Sequence, residues 1–141
     1  MQLRSLGVAA AICLFTASAA QAASVNYTAV LKGSSEVPPN DAAGAGELTA
    51  TLDTTTKVFS YKATYSGLTG PATAAHFHGP AIAGANAPPV VPVAKPASPI
   101  TGTATLTDAQ IADLQAGKWY FNVHTAAHPP GEIRGQVAPA P

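Results

Sequence analysis

The sequence predicts an all-β domain, a β-sandwich or barrel carrying one short helix. Three observations predict it. Beyond residue 22 the chain falls into short apolar–polar alternations with the period of two that a half-buried strand requires. Gly, Pro, Asn and Asp punctuate these runs at nearly every junction. Only one stretch carries the chemistry that starts a helix, and no internal repeat is evident.

The N-terminus reads as an export signal rather than as fold. Met1-Gln2-Leu3-Arg4 supplies a positive charge, Leu6 to Ala19 is an apolar run, and Ala20-Gln21-Ala22 offers the small residues a signal peptidase reads. Cleavage is expected before Ala23, leaving a domain over 23–141. The apolar run is too short for a stable membrane anchor. The mature chain is therefore expected in the periplasm or secreted, with no membrane anchor. Losing Arg4 and Cys13 leaves six basic and seven acidic residues, a formal charge of −1, and no cysteine. A nucleic-acid partner is excluded for want of a basic patch, and a disulfide or thiolate nucleophile for want of sulfur.

The strands follow in order. Val25 to Leu31 places Val25, Tyr27, Ala29 and Leu31 on one face, and Gly33 to Gly46 is a loop holding Glu36-Val37-Pro38-Pro39. Glu47 to Leu52 is a second strand, and Asp53 to Lys57 turns into Val58 to Tyr65. There Phe59, Tyr61, Ala63 and Tyr65 share a face opposite Ser60, Lys62 and Thr64, giving a hairpin with one solvated side. A Gly67–Pro71 turn leads to Thr73–His78. From Gly79 to Pro99 six prolines and no periodicity mark a long loop or mobile excursion rather than a central strand. Ile100 to Leu106 resumes β character. Thr107 and Gln110 fit a capping box for a helix running to about Ala116, with Ile111 and Leu114 on one face and Gly117 ending it. Lys118–His124 and Glu132–Val137 close the chain as two strands around a Thr125–Gly131 turn.

All four histidines fall in two short segments, Ala75-His76-Phe77-His78-Gly79-Pro80 and Asn122-Val123-His124-Thr125-Ala126-Ala127-His128. On a strand, His76 and His78 point the same way. His124 shares a face with Tyr120 and Asn122, opposite Trp119, Phe121 and Val123, and the latter face is the better core candidate. If the two strands are neighbours, three imidazoles converge on one metal ion. His128 follows in a Pro-containing turn, where it would be a fourth ligand or a rim group. Neutral imidazole suits Cu(II), Zn(II) and Ni(II), and a histidine-only set is easier to reconcile with copper than with structural zinc. Polar surface is the alternative use of a His-x-His pair. Glu132 and Arg134 alternate with Ile133, either as a surface ion pair or, like Asn122, as groups that orient a ligand imidazole.

These residues carry a resemblance. The His76–Ala81 run, Gly84–Pro88, Leu106–Gln110, Ala116–Thr125, Pro130–Gln136 and Glu36-Val37-Pro38-Pro39 are similar to the CHRD domain, named from chordin and found singly in exported bacterial proteins. His128 and Pro130 depart from it, standing where that family often has Asn and usually has Gly. More distantly, Ala29–Gly33, Gly67-Leu68-Thr69, the His76–His78 pair, Val123-His124 and Ile133-Arg134-Gly135 follow the order of copper,zinc superoxide dismutases. That resemblance implies a Greek-key β-barrel or sandwich, superoxide-dismutase-like or immunoglobulin-like. It also implies His76, His78 and His124 as copper ligands, with Arg134 near them. The Gly79–Pro99 loop holds no His, Asp or Glu, so the bridging histidine and zinc ligands of those enzymes are missing, and so are their disulfide cysteines.

The expected function is therefore copper binding, delivery or storage outside the cytoplasm. An extracellular interaction module is a second expectation, with structural histidines, the proline-rich loop as its surface and a protein partner or homodimer. A copper-only dismutase is a third, for which Arg134 is the candidate cationic guide.

Overall fold

A computed structural model describes residues 23–141; the leader expected over 1–22 lies outside the described residues. The chain forms β1 (Ser24–Lys32), β2 (Ala45–Asp53), β3 (Val58–Ser66), β4 (Ala72–His78), β5 (Pro89–Pro92), β6 (Ile100–Thr105), α1 (Asp108–Gln115), β7 (Trp119–Thr125) and β8 (Ile133–Pro139). All strand pairings are antiparallel, in one eight-stranded sheet of order β5-β4-β7-β8-β1-β2-β3-β6. Consecutive hairpins account for β1-β2-β3, β4-β5 and β7-β8. The β3–β4 and β5–β6 connections instead cross between the ends of the strand order, so the sheet curls until it is nearly closed into a barrel. The 93–99 segment bridges the two open edges. There the Tyr65 hydroxyl donates to the Pro96 carbonyl at 2.7 Å and accepts from the Ser98 N–H at 3.2 Å.

Period-two patterning decides what faces inward. Tyr27, Leu31, Leu48, Leu52, Phe59, Phe77, Ile100, Trp119, Phe121, Val123, Ile133 and Val137 fill the core. At its centre Phe77 meets Phe59, Tyr61 and Phe121 with ring centroids 5.2, 4.9 and 4.8 Å away. The helix begins as expected, with the Gln110 N–H donating to Thr107 Oγ1 at 3.2 Å and the Thr107 N–H to Gln110 Oε1 at 2.9 Å. Gly117, at φ +68°, ends it. No helix among the described residues is long and apolar enough to cross a membrane.

Two expectations need correction. The 79–99 segment is not purely loop: β5 pairs with β4 as an edge strand, the place where its prolines leave no inner ladder broken. β7 was expected to bury one face, but Tyr120 and Asn122 on the other face are buried as well as Trp119, Phe121 and Val123. The outer face of β7 and β8 lies under the 33–44 and 79–88 loops, and this second, polar layer holds the histidines.

Candidate metal centre

Register brings the histidines together. With Ala75 and Phe77 turned into the core, His76 and His78 face outward from β4. Across the ladder His76 lies opposite Asn122 and His78 opposite Tyr120, while His124 opposes Ala74. His124 is therefore the diagonal neighbour of His76 on the same face, within reach of a long side chain. His76, His78 and His124 each offer a ring nitrogen, and all three nitrogens lie within 4.8 Å of one another. This grouping does not include His128, whose backbone shapes the turn before β8: its carbonyl accepts from the Gly131 N–H at 3.1 Å.

Hydrogen bonds decide which nitrogens are free. His78 Nδ1 is 2.8 Å from the Ala87 carbonyl and His124 Nδ1 is 2.9 Å from the Pro129 carbonyl. A carbonyl only accepts, so both Nδ1 atoms carry the proton and both Nε2 atoms keep their lone pairs. His78 Nε2 is buried with no hydrogen-bond partner. His124 Nε2 is left as an acceptor and takes a hydrogen bond from His76 Nδ1 at 3.2 Å. Leaving a buried acceptor unpaired costs about 1–3 kcal/mol, and a cation among these nitrogens would remove that cost. Burial, then the neighbouring His124 and His78, hold the His76 pKa below its usual value. Burial does the same to His78, against the opposing effects of the Ala87 carbonyl and the nearby Asn122 side chain. Both rings are thus held in the neutral form that binds metals. The donor set, three imidazoles with no carboxylate or thiolate, fits a divalent transition metal.

A family model for the CHRD domain matches residues 27–137. The chain belongs to the CHRD-domain family. No curated protein and no solved structure matches it significantly. In this CHRD domain the matched region spans both histidine strands and the loops that cover them.

The polar residues around the cluster hold positions that the sequence left open. Glu132 and Arg134 form no ion pair with each other; both are buried and have other partners. The Glu132 carboxylate accepts from the Thr69 N–H at 2.7 Å, Thr69 Oγ1 at 2.7 Å and Thr125 Oγ1 at 2.5 Å, and so ties the β3–β4 turn to β7. Its hydrogen-bond partners are threonines rather than an imidazole. Arg134 is 2 % exposed, donating from Nη1 to Asn86 Oδ1 at 2.9 Å and from Nη2 to the Ala85 carbonyl at 2.6 Å. Its guanidinium carbon lies 3.4 Å from the Tyr120 ring centroid. A buried arginine so engaged is not the free cationic guide that the dismutase expectation needed. Asn122 stands between the cluster and Glu36, a buried carboxyl whose Oε1 has no partner. Burial pushes Glu36 up to about 7 against the nearby Arg134 charge and the Asn122 side chain. Gly131, at φ +139°, lets these groups approach: a Cβ there would collide with Glu36 Oε1 and come within 2.7 Å of Asn122 Nδ2.

Sequence reading missed Tyr120, whose ring stacks on His78 at 4.7 Å and 3°. Period two had already put it on the face of His124, but alternation gives the face and not the partner across the ladder. It also missed Asn86 and Ala87, because nothing in a proline-rich loop marks where its carbonyls will point.

Proposed function

We propose that this protein is an exported copper-binding domain that holds one ion through His76, His78 and His124 and serves copper binding, delivery or storage. The observation that supports it most is the convergence of three imidazoles, two with their Nδ1 atoms occupied by carbonyls and one with a buried, unpaired Nε2. Copper is favoured over zinc because an all-imidazole set lies high for Cu(II) in the affinity order of divalent metals. The 79–99 segment also brings no acidic or histidine ligand for a second ion. The proposal needs three ligands only, and His128 stays in its turn. Export rests on the N-terminal segment ending at Ala22 and would be tested by cell fractionation and N-terminal sequencing of the mature chain.

Titration of metal-free protein with Cu(II), followed by d–d absorption and electron paramagnetic resonance, tests the site. One equivalent should bind with a nitrogen-rich signature, and the His76→Ala/His78→Ala double variant should lose it. Unchanged affinity in the double variant would overturn the assignment.

A further inference from the structure

The ring of His78 is held by a loop with little regular structure of its own, and that loop is held in turn by side chains of β7 and β8. Ala87, the acceptor for His78 Nδ1–H, is placed by Tyr120: its N–H donates to Tyr120 Oη, and Tyr120 Oη donates to its carbonyl, each at 3.2 Å. One residue earlier, Asn86 accepts from Arg134 Nη1 and donates from Nδ2 to the Val37 carbonyl at 3.1 Å. Arg134 Nη2 takes the Ala85 carbonyl. The 79–88 loop is therefore pinned to β8 on one side and to the 33–44 loop on the other, and both attachments meet at Asn86. Arg134, Tyr120 and His78 form one stack, with the guanidinium on one face of the phenol and the imidazole on the other.

Charge makes this arrangement costly unless it serves something else. A buried guanidinium separated from His78 by one aromatic ring opposes a second cation at that imidazole. On Coulombic grounds alone, removing Arg134 should tighten metal binding. As a clamp, it does the opposite. It fixes the loop so that the Ala87 carbonyl keeps His78 protonated on Nδ1, with the Nε2 lone pair directed at the cluster.

We infer that Asn86 and Arg134 are positioning residues, a latch that holds the 79–88 loop over His78 and thereby fixes its tautomer for metal binding. The inference rests on the proposed metal site for its consequence, but the latch itself is built from protein groups alone. Arg134 acts through its fork, which reaches Asn86 and Ala85 together, so a lysine there keeps the charge without keeping the latch.

The test separates the two claims. Long-range nitrogen–proton NMR on metal-free protein reads the His78 tautomer, and competition with a chelator reads Cu(II) affinity. Wild type should show the Nδ1–H form; Asn86→Ala, a change at an exposed loop position, should show a mixture of tautomers. Its Cu(II) affinity should fall about 10- to 100-fold, with an altered paramagnetic resonance spectrum. Arg134→Met and Arg134→Lys should weaken binding alike. Retention of the wild-type tautomer in Asn86→Ala would overturn the latch, as would tighter binding in a folded Arg134→Met. Should Arg134→Met fail to fold, Asn86→Ala decides alone. A wild-type protein that binds no copper would defeat the proposed function, while the tautomer measurement would still judge the latch.

Discussion

Replacing Glu36 with Gln should remove a pH dependence of stability that this one carboxyl imposes. Glu36 is 5 % exposed, and burial outweighs the nearby Arg134 charge and the Asn122 side chain to raise its pKa from 4.5 to about 7. The folded protein therefore keeps a proton that the unfolded chain has already released. Between about pH 4.5 and pH 7 the native state binds more protons than the unfolded state, so stability falls as pH rises. At 1.36 kcal/mol for each pH unit between the two pKa values, the loss totals about 3 kcal/mol and is complete near pH 8. Glutamine has the same shape and does not titrate. Urea unfolding of wild type and Glu36→Gln in a chelator, at intervals from pH 4.5 to 8, should give curves that separate steadily, with the variant gaining about 3 kcal/mol relative to wild type. Every other titrating group is common to the two proteins, so it cancels in the difference. Any constant offset from the new amide also drops out, because only the slope is read. Parallel curves across that range would refute the reasoning and mean that Glu36 is ionised at no net cost.

Glu132→Gln should show the opposite sign. Burial pushes that carboxyl up, but the bonds from Thr125 and Thr69 outweigh it and hold it below the usual carboxylate range. Its contribution is present above the unfolded pKa and is lost as pH falls through the folded one. The variant should be less stable by about 2–4 kcal/mol at neutral pH, the scale of losing charge-assisted bonds, with the deficit shrinking below about pH 4 in urea unfolding. Phe77→Ala empties the centre of the aromatic cluster and should cost about 3–5 kcal/mol by the same assay; a loss under 1 kcal/mol would mean that the barrel collapses around the cavity.

Much of this protein was legible in the sequence because local physics writes it there. Alternation alone placed Phe59, Tyr61, Phe121 and Val123 on core-facing sides, and Thr107 with Gln110 named the helix start. The same period put His76 and His78 on one face, and residues 23–141 hold no cysteine. Register was not local. Whether His124 would meet them depended on β4 pairing with β7, two strands separated in sequence by β5, β6 and α1. Burial of the outer face was equally invisible, since it depends on where two irregular loops settle. For that reason the alternation of Glu132 and Arg134 left a surface pair and a pair of imidazole-orienting groups equally open, whereas the two are buried apart, each with its own partners. The sequence by itself determined an all-β domain of the CHRD family with a histidine pair on one strand face. Only the tertiary structure decided the third imidazole, which nitrogen of His78 and of His124 carries the proton, and the loop carbonyls that make it so. Side-chain direction follows from a two-residue repeat, but convergence follows from long-range pairing.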